Sequence, residues 1–408
     1  MTKRKILKQG LLAGTGILYC AVSTAFALDN VVKLGAVIEV QGIHYNNNGR
    51  AEQKKISTHQ KKYGFYSSGN FLVDYQLVTD TGIKYGTKIG LEQTTRNDRG
   101  TPLSIYIESE YGKIEAGSDK SAAKKMRITG YTSSCATGNG WDAFIIASPK
   151  SGVSALVPYV TNFCSFLDSK TRTSRLTDYS RKITYFTPKF GSNDHAFQVG
   201  VSYIPDTSNA GHNDLDKQHL HTPVSPSQYK FAIKDGVAYG VTYEGKFSDL
   251  LSAKVAFAGE LGKPVAFDKN DNDAKSDIKF KKLNTYNIGG QVRYDQFSVA
   301  ASYMNYNKSL TNAAIDTLGR NTSIYSAGMK YQFHEGKYAA SVNHFHSDHH
   351  KNKLDATSVG IDYIITSGIK TYAQVTYYQT RGHFIMENVV KSDKSRGTIV
   401  ILGGKIIL

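Results

Sequence analysis

The stretch VAYGVTYEGKFSDLLSAKVAFAGEL, residues 237–261, carries the pattern that decides the fold. Val237, Tyr239, Val241, Tyr243 and Phe247 alternate with Ala238, Gly240, Thr242, Glu244 and Lys246. A Ser248-Asp249 turn follows, after which Leu251, Ala253, Val255 and Phe257 oppose Ser252, Lys254 and Glu260. Successive side chains leave a strand on opposite faces, so each half is a strand with one apolar and one wet face. A soluble sandwich would bury the apolar face in a core. A transmembrane barrel would turn it to lipid and line water with the other face.

The start of the chain bears on that choice. Lys3, Arg4, Lys5 and Lys8 precede an apolar run from Leu11 to Val22, and Ala25-Phe26-Ala27 supplies a small-x-small site. Residues 1–27 therefore read as a secretory signal cleaved before Leu28. No later run is long and apolar enough for a spanning helix. The 27 Tyr and 18 Phe suit strands and the polar–apolar boundary of a membrane. Net charge is +16, but the 50 Lys and Arg are scattered rather than gathered into a patch, which argues against a nucleic-acid partner.

No nucleophile elbow, phosphate loop or zinc-helix motif is present, so neither an enzyme nor a cofactor is expected. His344 and His346 share a strand face beside Asp348, His349 and His350 and are a weak metal candidate; a solvated strand end explains them better. Cys135 and Cys164 remain after signal removal. In an oxidising compartment they would pair, the alternative being two free thiols.

Sixteen such strand segments run from Val31–Ile43 to Gly397–Leu408, and the connections between them alternate long and short. Short ones, such as Thr79-Asp80-Thr81-Gly82 and Thr366-Ser367-Gly368, are turn sequences. Long polar ones include His44–Phe65, Pro205–Gly236, Gly262–Lys282, Arg381–Arg396 and the longest, Ser118–Asp178. A sandwich has no reason to sort its loops by side, whereas a barrel in an outer membrane keeps turns in the periplasm and loops outside. An open edge is not tolerated in hydrocarbon, so the last strand should pair with the first. The expectation is an all-β, 16-stranded antiparallel transmembrane β-barrel over residues 28–408. A barrel of that size is too wide for its side chains to fill, which implies a water channel for ions and small polar solutes.

Arg181-Lys182-Ile183-Thr184-Tyr185-Phe186-Thr187-Pro188-Lys189-Phe190 and Phe197-Gln198-Val199-Gly200-Val201-Ser202-Tyr203 resemble a corner and strand of the general diffusion porins of Gram-negative outer membranes. Val32-Lys33-Leu34-Gly35 and Tyr111-Gly112-Lys113-Ile114-Glu115-Ala116-Gly117 are similar to further family stretches. The resemblance implies a homotrimer in outer-membrane lipid, with a third external loop folded into the lumen as a constriction. Here that loop is residues 118–178, which hold both cysteines, Trp141 and Phe144-Ile145-Ile146. Two features depart from the family: the chain ends in Leu408 rather than an aromatic residue, and the second external loop, Thr95–Pro102, is short.

Alternation places Lys33, Lys84, Lys88, Lys182, Lys254, Arg293 and Lys330 on the lumen side, opposed by Glu39, Asp74, Glu92, Glu108 and Asp362. Lys120, Lys124, Lys125 and Arg127 head the third loop, with Asp142 and Asp168 further on. Opposed charges at a narrow point bias ion passage, and the basic excess predicts a mild anion preference. The competing expectation is a barrel whose external loops act as adhesin or antigen, its lumen largely plugged by the third loop.

Overall fold

A computed structural model describes residues 27–47, 63–94, 102–135, 141, 180–207, 218–222, 225–268, 280–309, 322–349, 352–386 and 389–408. Sixteen principal strands follow in chain order. They are β1 Ala27–Asn47, β2 Tyr63–Thr79, β3 Lys84–Thr94, β4 Leu103–Ser109, β5 Gly112–Ser118, β6 Arg181–Phe186, β7 His195–Asp206 and β8 Ser225–Lys246. The second half comprises β9 Leu251–Asp268, β10 Leu283–Tyr294, β11 Phe297–Asn307, β12 Thr322–Phe333, β13 Tyr338–His349, β14 Asn352–Thr366, β15 Ile369–Met386 and β16 Val389–Ile407. Two further short strand pieces, Phe190–Gly191 and Gln218–Thr222, flank β7 and β8.

Each strand pairs antiparallel with its sequence neighbour, and β1 closes the sheet onto β16 from Val37↔Ile407 to Asn47↔Gly397. At the seam Ala36 and Leu408 exchange both backbone hydrogen bonds, at 3.2 and 2.9 Å. The terminal leucine thus completes the ladder as an aromatic residue would. No described helix is long and apolar enough to cross a membrane; the chain crosses with strands.

The alternation read from residues 237–261 is the burial pattern of the barrel. Ala238, Thr242, Ala256, Ala258 and Glu260 are buried inside, while Val241, Val255, Phe257 and Leu261 are exposed outside. That outer face is lipid-facing, and rings gather at its two ends. Near the loop end Tyr286, Tyr303, Tyr325 and His346 make a chain of contacts at 6.1, 4.9 and 6.0 Å between centroids. Near the turn end Tyr331, Phe333, Tyr338 and Tyr363 do the same at 6.1, 5.4 and 4.9 Å. Amphipathic rings favour the headgroup level, so the two belts mark the hydrocarbon limits.

Turn chemistry sets the closed end. Gly82 and Gly368 take positive φ in their hairpins, and His334, Glu335 and Gly336 do so in succession. The loop end differs from expectation in one respect. β8 begins at Ser225 rather than Val237, β9 runs on to Asp268, and β15 and β16 continue as a paired ribbon to Met386 and Val389. Apolar and polar residues do not alternate strictly in these extensions, as in Phe384-Ile385-Met386, and an irregularity with Asp235 at φ 50° marks where β8 leaves the regular sheet.

A charge on the lipid face should be costly where the same charge on the lumen face is not. Val359→Lys, midway between the belts, is expected to destabilise the barrel by about 2–4 kcal/mol. Asn70→Lys, on the inner face of β2, should leave the urea unfolding midpoint in lipid vesicles near wild type.

Candidate constriction of the lumen

The third loop leaves β5 at Ser118 and turns inward. Asp119 precedes a one-turn helix, α1 Ala122–Met126, whose cap is the Ser121 hydroxyl accepting from the Lys124 amide at 3.4 Å. Beyond α1 the chain lies along the inner wall, crossing strands that are far away in sequence. The Ala122 amide donates to Ser202 Oγ at 2.8 Å, Gly130 to Ser326 Oγ at 2.9 Å and Cys135 to Ser341 Oγ at 2.9 Å. Ser133 Oγ meets Ser298 Oγ, and Gln291 donates to both. A row of inward serines is the rail on which the loop rests.

Glycines let it lie flush. A Cβ at Gly289 would overlap the Ile128 carbonyl, and one at Gly328 would overlap the Gly130 carbonyl. The row ends in a dry cluster. Trp141 is fully buried against Phe345 at 5.8 Å, with Ile43, Leu354, Tyr378, Ile399 and Ile401 completing it from the barrel wall. Over its described part, residues 118–135 and Trp141, the third loop packs against the inner wall. Phe144-Ile145-Ile146 lies outside the described residues.

With the loop packed on β7–β14, the open side is the wall β2–β6. A polar cavity of about 720 Å³ lies there, between that wall and the base of the loop. Its charges form a linked set. Lys125 binds Glu115 and, at 2.8 Å, Asp119; Lys113 reaches Glu115 at 2.9 Å; Lys88 stands 3.9 Å from Asp74, which also accepts from the Tyr106 hydroxyl at 2.9 Å. Lys84 pairs with Glu108 at 3.3 Å, and Glu244 bridges Lys254 and Lys189 at 2.5 and 2.7 Å. Lys120 borders the same cavity.

Two placements differ in role from a simple pore lining. Lys182 is buried, and its ammonium donates to the carbonyls of Asp119 and of Ser180 (2.7 Å), binding the start of the loop to its end. Lys124 and Arg127 point the other way, with Glu260 around a crevice of about 20 Å³ against β9–β11. The loop's basic residues thus split between two sides. Lys33, Arg293 and Lys330 lie on lumen-facing positions with no ion pair to a described residue. Glu39 accepts from the Tyr372 hydroxyl, which also takes a bond from Gln41 at 3.0 Å, and Asp362 pairs with Lys370 at 3.0 Å. Glu92 falls in β3, but its side chain, like Asp142, Asp168 and Cys164, lies outside the described residues. The pairing of Cys135 falls there too; Cys135 itself is buried, and burial pushes its thiol up. His344 and His346 do share a face, but it is the outward one. His344 meets Thr357 Oγ1 at 3.0 Å and His346 meets Asp355 at 2.7 Å, and no metal-holding group is found among the described residues.

Sequence reasoning passed over Lys113, Glu115, Asp119 and the serine rail. Lys113 and Glu115 have the inward parity and could have been found. Ser202, Ser298, Ser326 and Ser341 carry no signal, because only the approach of the loop distinguishes them from other lumen serines.

The family profile described as Gram-negative porin matches residues 14–383. The chain belongs to the Gram-negative porins. An uncharacterised protein of Rickettsia conorii is 29% identical over 98% of this chain and all of its own, and one of Rickettsia felis is 28% identical over 96% and 98%. Among solved structures, an anion-selective porin from Comamonas acidovorans superposes with a TM-score of 0.56 at 11% identity, covering 93% of this chain and all of that one. A mutant of the Rh. blastica porin superposes at 0.51 with 12% identity over the same shares. At such identities the likeness shows the fold alone. Family and closed barrel together make this porin an outer-membrane channel protein.

Charge at the loop base makes two expectations. Burial pushes the Asp119 carboxyl up, but the Lys125 ammonium outweighs it and holds it below its usual range. Burial likewise pulls Lys125 down, and Asp119 with Glu115 outweighs that, holding it above. A lowered carboxyl stabilises above its unfolded pKa and is lost as pH falls through the folded value. A raised ammonium stabilises below its unfolded pKa and is lost as pH rises past the folded one. The clamp should therefore hold between about pH 4 and pH 10, read as a constant single-channel conductance. Gly328→Val should lift the loop off the wall and lower that conductance at every pH; an unaltered channel would exclude the flush contact.

Proposed function

We propose that this porin is a diffusion channel for ions and small hydrophilic solutes, with a mild preference for anions. The single observation that carries it is the seat of the third loop. Over its described part the loop lies along one wall rather than across the lumen, and the opposite wall keeps a charged cavity of about 720 Å³. Water in that crescent would remain continuous, and charges along it would act at close range.

The anion preference rests on the balance of those charges. Most acids in the lumen are already held by a lysine, whereas Lys33, Lys120, Arg293 and Lys330 have no carboxylate partner among the described residues. Among the described residues the uncompensated charge is mostly basic.

The precursor is exported by the signal over residues 1–27, the turns face the periplasm, and the long loops face outward. Three copies associate in the membrane, as the family resemblance implies. Cys135 and Cys164 pair in the oxidising space outside the inner membrane.

Planar-bilayer recording of the refolded protein tests this reading. Stable conductance steps with a reversal potential of anionic sign in a salt gradient are expected. Silence would favour the adhesin with a plugged lumen, and a cationic sign would remove the selectivity. Lys125→Gln, which takes the ammonium from Asp119 and leaves Glu115 with Lys113 alone, should move the reversal potential toward cations.

A further inference from the structure

The outward face of β10–β14 carries a feature that conduction does not use. One register row runs Gly290, Ala301, Ala327, His344, so its side chains are small across three strands and polar at the fourth. The row on its loop side is bulky, with Ile288, Tyr303 and Tyr325, and the row on its turn side, with Val299, Met329 and Val342, is bulky too. Between them lies an outward trench of about 500 Å³ with His344 at one end. At about 4.8 Å per strand, Gly290 to His344 spans about 14 Å, the reach of an extended hydrocarbon chain.

Beyond His344 the same face becomes charged. His346 and Asp355 pair, and the next row toward the loop end sets Lys353 directly opposite Arg381. Arg396 stands opposite Gln379, in the same row as His346 and Asp355. Like charges directly opposite destabilise a strand pair. Asp348 lies 3.5 Å from Lys353, but Arg381 and Arg396 have no ion pair among the described residues. An anionic headgroup would complement these charges.

We propose that this surface binds one anionic phospholipid of the surrounding leaflet, its acyl chain in the trench and its phosphate on Lys353, Arg381 and Arg396. Two facts select that occupant. The trench is continuous with the lipid-facing surface and lies beside the outer ring belt, and the charge excess where headgroups lie is basic. Each basic residue near an anionic headgroup strengthens binding, and the apolar trench orients the chain. The site requires that the barrel sit in a membrane but not that it conduct.

Native mass spectrometry of the folded protein in detergent, titrated with dioleoylphosphatidic acid or dioleoylphosphatidylcholine, tests it. The phosphatidic acid is expected to bind about tenfold to a hundredfold more tightly. The Lys353→Gln/Arg381→Gln double variant should reduce that preference to about twofold or less. Ala327→Phe, which fills the trench, should weaken both lipids. Val199→Leu, on the outward face of β7, is the control and should match wild type. Unchanged single-channel conductance confirms that each variant is folded. Equal affinity of the wild type for the two lipids overturns the proposal, as does a double variant that keeps its preference. If Ala327→Phe changes the oligomer size and leaves lipid binding intact, the trench belongs to a second copy of the chain and the proposal fails.

Discussion

A strand surrounded by hydrocarbon has no water to bond its amide and carbonyl groups, so every strand needs a neighbour on each side. The seam between β1 and β16 meets that demand, down to the reciprocal bonds of Ala36 and Leu408. Everything else follows from closure. Sixteen strands in a ring enclose a space wider than side chains can span, and period-2 alternation makes its wall polar. The protein has no core in the ordinary sense: its apolar face is outside, and its interior must be filled or left to water.

The described part of the third loop lies against one side of it. A loop without a sheet partner must satisfy its backbone elsewhere, and the lumen serines do this at Ala122, Gly130 and Cys135. Glycines on the same wall remove the side chains that would hold it away. The loop then brings a hydrophobic core of its own, centred on Trp141 and closed by inward residues of β1 and β11–β16. Among the described residues that side of the lumen is dry, and the charged cavity lies on the other.

On that other side, charge does two jobs. Lys182 and Lys125 hold the loop, since each is largely withdrawn from water and bonded to loop atoms, and an ammonium in that setting makes strong, directional bonds. Lys33, Lys120 and Lys330 have no such duty among the described residues. Reading a lumen by counting lysines confuses the two. What distinguishes them is whether a carbonyl or carboxylate from the loop comes within reach.

The strand count, the inward and outward faces, the sorting of loops by end and the inward position of Lys88, Asp74, Glu108 and Arg293 were all legible in the sequence. They depend on a period of two and on turn chemistry, which are local properties of a few neighbouring residues. The extensions of β8, β9 and β15–β16 were not legible, because runs such as Phe384-Ile385-Met386 break the period of two. Tertiary structure alone decided that Lys182 is a staple rather than a pore charge, that Lys124 and Arg127 turn away from the cavity, and that His344 and His346 face the membrane. Each of these depends on what a distant segment brings alongside. Ser326 and Gly130 are 196 residues apart in sequence, and only the closed barrel makes them neighbours.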